Sequence, residues 1–153
     1  IDHLIGVLIE ELGMEMRGGG STTMRSDPTH KGAEADQMYH IRHEAAVRGQ
    51  REFDPALPPD LAVEVDISAS SSRRLPIYSA LGIPEVWRCD GERLTFLELA
   101  DDGEYRRIER SLSFPGLSPV DLDRFLAMYD ATGEYALLRE FRQWVRETQL
   151  RQR

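Results

Sequence analysis

The chain has 153 residues, 41% hydrophobic and 30% charged, which suits one soluble domain with a real core and is too short for two independent ones. A formal net charge of −8 argues against gripping nucleic acid by bulk electrostatics, and the single cysteine, Cys89, excludes an internal disulfide or a multi-cysteine zinc site. No apolar run approaches the roughly 18 residues of a membrane span and no signal-peptide pattern opens the chain, so the expected location is the cytoplasm, a reducing compartment.

In chain order, "DHLIGVLIEELG" carries Leu4, Ile5, Leu8, Ile9 and Leu12 at helical spacing, with Gly13 as a stop. The chain opens almost on this helix without an initiator Met, which reads as a trimmed N-terminus or a fragment. "RGGGSTTMRS" reads as a glycine loop entering a short β-type segment. Its glycines lack the Gly-Lys-Ser/Thr that a phosphate loop requires. "GAEADQMYHI" alternates as one strand, with Glu34, Asp36, Met38 and His40 on one side and Ala35, Gln37, Tyr39 and Ile41 on the other. "LAVEVDI" alternates too: Leu61, Val63, Val65 and Ile67 face one way, Ala62, Glu64 and Asp66 the other. After a serine run, "RRLPIYSALG" predicts a short helix capped by a serine, with Pro76 in its first turn and Gly82 at its end. "EVWRC", "RLTFLELA" and "YRRIERSLSF", separated by "DG" and "DDGE", predict an antiparallel meander. Ser118, Pro119 and Asp121 mark a helix start, and from about Glu134 a last helix aligns Leu137, Leu138, Phe141, Trp144 and Val145 on one face.

Glu64 and Asp66 share a strand face, so their Cα atoms are expected about 6.5 to 7 Å apart. Carboxylates that close repel unless water, an arginine or a metal ion offsets the charge. The plain alternative is a solvated outer face. Against it stand the small apolar Ala62 on the same face, the Val and Ile density of the strand, and a second acid pair, Glu34 and Asp36. Carboxylates from two strands with a cation close behind suit Mg²⁺, a hard ion that takes oxygen ligands and commonly substrate phosphate. The chemistry suggested is phosphodiester hydrolysis. Tyr78 reads as core or helix packing, Cys89 as a small packing residue, and His40 and His43 as too divergent to share a metal. Arg106, Arg107 and Arg110, on one meander strand, read as a solvated face or as contacts to a phosphate backbone. Of the 19 basic residues only Lys31 is a lysine.

Taken together and in order, "GAEADQMYHI", "PPDLAVEVDISASSSRRLPIY", "ALGIPEVWRCDG" and "SLSFPGL" resemble the Uma-type restriction endonucleases, a bacterial branch of the PD-(D/E)XK nuclease superfamily. The likeness runs from about Ser21 to Phe125. It implies an α/β (mixed α+β) restriction-endonuclease-like core: a mixed central sheet with an antiparallel meander, flanked by helices. The expected organisation is one such domain over residues 1–130, followed by the C-terminal amphipathic helix, read from its spacing, over 131–153. By position, Asp36 matches the family's first metal-binding aspartate and Glu64 the acid of its second half-motif, with Asp66 a less certain ligand or a partner of Arg73 or Arg74. The implied cofactor is Mg²⁺ or Mn²⁺ and the implied substrate DNA. The family's lysine falls at Arg74, which can hold phosphate but cannot serve as a base. The β-hairpin that usually precedes the first helix, with its further acid, is absent from this sequence. The rival expectation keeps the fold without catalysis, as a module binding nucleic acid or a protein. A homodimer joined through the last helix is a third.

Overall fold

The computed structural model describes residues 1–18, 23–25, 32–34, 37–50, 54, 56–65 and 74–148. Helix α1 (Asp2–Glu11) forms where the apolar spacing predicts it and buries Leu4, Ile5, Val7, Leu8 and Ile9. Gly13 ends it at φ +61°, a left-handed conformation that glycine adopts without a Cβ penalty.

The run "GAEADQMYHI" does not make one strand. Its first part, β3 (Gly32–Glu34), pairs with β2 (Thr23–Arg25) in a separate two-stranded sheet. Its second part, β4 (Gln37–His40), joins the main sheet between β1 (Arg17–Gly18) and β5 (Leu61–Val65). The two-residue periodicity is the same on both sides of the break, so the pattern cannot report a change of sheet. The six-stranded sheet runs β1-β4-β5-β6-β7-β8, with β6 (Glu85–Cys89), β7 (Leu94–Leu99) and β8 (Tyr105–Ile108) forming the expected meander. Pairing is antiparallel except between β5 and β6, which run parallel and are joined through α3 (Leu75–Ala80). A parallel pair needs such a crossover because a tight turn cannot reverse the chain twice. Short helix α2 (Glu44–Val47) follows β4.

Alternation along the strands gives the sheet two unequal cores. One face sets Leu61, Val63, Trp87 and Phe96 against α1, α4 (Pro119–Leu126) and α6 (Glu134–Thr148). Trp87 stacks on Phe96 at 4.4 Å, and Phe125, Phe141 and Trp144 form a second aromatic group with centroids 4.9–5.6 Å apart. The other face sets Met38, Ala62, Val86 and Leu97 against Tyr78 and Leu81 of the α3 segment. Val65, expected to point inward with Leu61 and Val63, is 46% exposed at the open end of β5.

Helix α4 begins as the sequence indicates: the Ser118 side chain and Asp121 form a reciprocal capping box, with Pro119 in the first turn. One turn of helix, α5 (Tyr129–Thr132), links it to α6. The apolar stripe of α6 is covered within the chain, where Leu137, Phe141 and Val145 are buried and the helix packs along α1. Glu11 of α1 fastens the pair, accepting from Arg142 at 2.7 Å and Arg146 at 2.6 Å. These bonds hold its carboxyl below the usual range, the Arg146 bond contributing most. Among the described residues no helix is long and apolar enough to cross a membrane.

Candidate active site

The period of two on β5 turns Ala62 and Glu64 toward the smaller core, and Glu64 is only 1% exposed. A carboxylate taken that far from water costs several kcal/mol unless charge and hydrogen bonds offset it. Two of the donors come from α3. Arg74 Nη1 donates to Glu64 Oε2 at 2.6 Å, and the Tyr78 hydroxyl donates to Glu64 Oε1.

The spacing of the two donors explains the arrangement. Residues four apart lie one turn apart on the same helix face, so a single helix orientation delivers both groups to one carboxylate. Arg74 occupies the N-cap position of α3 with no side-chain cap, which corrects the expectation that a serine caps this helix. Pro76 in the first turn removes an amide donor that would otherwise lack a partner. The Arg74 side chain is 40% exposed, so the ion pair reaches from the interior to solvent.

Of the residues singled out in the sequence, Glu64 and Arg74 are therefore brought into contact. Asp36 and Asp66 lie outside the described residues, as does Arg73. The covalent neighbours of the acids are described: Gln37 pairs with Val63 across β4 and β5. Glu34 ends β3, in the small sheet rather than on β4, and that sheet touches α3. Tyr78, read from the sequence as packing, is fully buried and also bonds the central carboxylate. A tyrosine one helical turn after the cation was the available signal.

Two further acids that are completely buried were not singled out from the sequence. Asp60, fully buried, accepts from the amides of Ile41 at 2.7 Å and Arg42 at 2.9 Å, fixing the turn between β4 and α2. Glu85, also fully buried, accepts from Trp87 Nε1 at 2.8 Å and from the amides of Leu112 and Ser113 at 3.2 and 2.8 Å. His40 contacts the Leu57 carbonyl through Nε2 at 3.0 Å, and burial holds its imidazole below the usual value of 6.5. Arg110, expected beside Arg106 and Arg107 on one strand, lies past the end of β8 and donates to the Gly116 carbonyl at 2.9 Å. Cys89 is buried in β6, as a packing residue would be.

Glu64 offers hard carboxylate oxygens of the kind a divalent ion takes. Among the described residues no group of three or more His, Cys, Asp or Glu side chains could hold a metal ion.

A family model described as "Putative restriction endonuclease" matches residues 2–128, which includes the whole six-stranded sheet and α3. The open, mostly antiparallel sheet with flanking helices agrees with a restriction-endonuclease-like fold. No curated protein matches the chain.

Proposed function

The chain belongs to the Uma2 family, and from that premise we propose that it is a metal-dependent endonuclease hydrolysing phosphodiester bonds in DNA. Asp36 and Glu64 would hold Mg²⁺ or Mn²⁺, with Asp66 as a weaker candidate ligand. When bound, the ion would polarise a phosphoryl oxygen and ease ionisation of the attacking water. The chain's own residues do the remaining work. Tyr78 fixes the Glu64 carboxylate, and Arg74, at the position of the family's lysine, steadies the scissile phosphate and the charge that develops on it. The observation that carries this reading is the Arg74–Glu64 contact, which joins the cation and the acid of the family's second half-motif on the inner face of β5. The Gln37–Val63 pairing supports including Asp36, since each of these residues is the covalent neighbour of a proposed ligand.

The expected result is Mg²⁺- or Mn²⁺-dependent cutting of DNA that a chelator abolishes. Replacing Asp36→Asn or Glu64→Gln should lower the rate by about 10²-fold or more, the scale seen when one group stabilising the transition state is removed. Variants that cut as fast as wild type would reject the assignment.

A second reading is favoured by the same contact. The guanidinium already neutralises Glu64 and takes one of its oxygens, as in a nuclease fold that has lost its metal and binds nucleic acid or a protein instead. Activity that appears only in Arg74→Lys would support this lapsed-enzyme reading. Robust cutting by wild type would exclude it.

A further inference from the structure

Side chains of residues paired across neighbouring strands stand on the same sheet face. Glu64 on β5 pairs with Arg88 on β6, Arg88 with Thr95 on β7, and two residues along the strand Leu97 pairs with Arg107 on β8. Arg88 and Arg107 therefore lie on the Glu64 face. Together with Arg93, Thr95, Leu97 and Asp90 they line a depression of about 240 Å³ that opens beside the proposed active site.

The charges are unlike those of the chain as a whole. Three arginines and one aspartate, Asp90, line the depression, within a molecule of net charge −8. Asp90 is engaged by its own turn: its Oδ1 accepts the amides of Glu92 at 3.0 Å and Arg93 at 2.8 Å. Arg93 and Arg107 are exposed, and guanidinium groups match phosphate oxygens in a two-pronged geometry. From β5 to β8 is three interstrand spacings, about 14 Å, a length that several consecutive phosphates of one DNA strand cover.

We propose that the depression formed by Arg88, Arg93 and Arg107 is a phosphate-binding subsite for the DNA strand whose scissile bond lies at Glu64. It rests on the nuclease reading for its substrate. It would give an acidic protein a local site for a polyanion, since three arginines line the depression.

The test is duplex binding by the full chain in chelator, followed by fluorescence anisotropy across a range of NaCl concentrations, with cutting assayed separately in Mg²⁺. Arg93→Gln and Arg107→Gln should each weaken binding about eightfold near 0.1 M salt and flatten the log–log salt slope by about 0.9, the value for one lost phosphate contact. Arg106→Gln is the control, since Arg106 pairs with Asp102 and alternates to the opposite face. If wild type binds and the Arg93 and Arg107 variants bind equally well with unchanged slope, the subsite is wrong and the nuclease reading stands. If they lose affinity but wild type cuts nothing, the nuclease reading fails and the subsite stands. Failure of wild type to bind duplex, or tight binding of inorganic phosphate without duplex binding, overturns the subsite.

Discussion

Glu64 and Glu85 are both sealed from solvent on the parallel strand pair β5 and β6, yet their surroundings differ in kind. Glu85 faces the large core and is held by an indole and two backbone amides, groups fixed by the course of the chain. Glu64 faces the small core and takes donors from side chains of one short helix, including a guanidinium that reaches solvent. Burial of an acid therefore does not by itself mark an active site. The source and charge of its donors separate a carboxylate held by the backbone of a loop from one held by side chains, one of which reaches solvent.

The largest effect on stability is expected at Glu85. Its replacement by alanine leaves the Trp87 indole and the Leu112 and Ser113 amides without their acceptor, which should cost about 3 kcal/mol or more. Urea unfolding measures this. A loss under about 1 kcal/mol would mean that water satisfies these donors and that the contrast with Glu64 is false.

Tyr78→Phe should cost less, about 1.5 kcal/mol, the scale of a single hydrogen bond to a charged group. Unfolding of this variant beside Glu85→Ala places the two acids on one scale. Equal losses would make the Glu64 setting as structural as that of Glu85.

The smallest effect is expected at His40, where burial favours the neutral ring. The unfolded chain takes up a proton near the usual 6.5 while the folded ring resists, so stability should fall as pH is lowered through that value. Thermal melts should show a lower Tm at about pH 5.5 than at about pH 7.5, and His40→Gln should flatten that slope. An unchanged slope in the variant would assign the acid sensitivity to other groups.

What the sequence made legible follows from where each signal lies. Helix α1, the meander turns and the Ser118 capping box depend on residues within a few positions of one another, and their spacing carries the information. The alternation of "LAVEV" likewise placed Glu64 on the face that Ala62 shares. The roles of Glu85 and Asp60 were not visible, because their donors lie up to 28 and 19 residues away and a buried acid looks locally like an exposed one. The break between β3 and β4 was hidden for a related reason: which sheet a segment joins depends on its distant partner. The serine cap failed because the chain starts α3 on Arg74 itself. Asp36 and Asp66 remain readings of the sequence.

The inequality of the two cores bears on how the molecule opens. Cooperative unfolding units differ in free energy within one protein, and a segment with few buried contacts exchanges its amide protons before the rest. The six residues of α3 rest on the smaller cluster, whereas α1 and α6 are embedded in the larger one. Lifting α3 withdraws Arg74 and Tyr78 from Glu64 in one motion and leaves the Trp87 side of the sheet packed. The guanidinium and the hydroxyl that hold the acid thus ride together on one short helix over the smaller core.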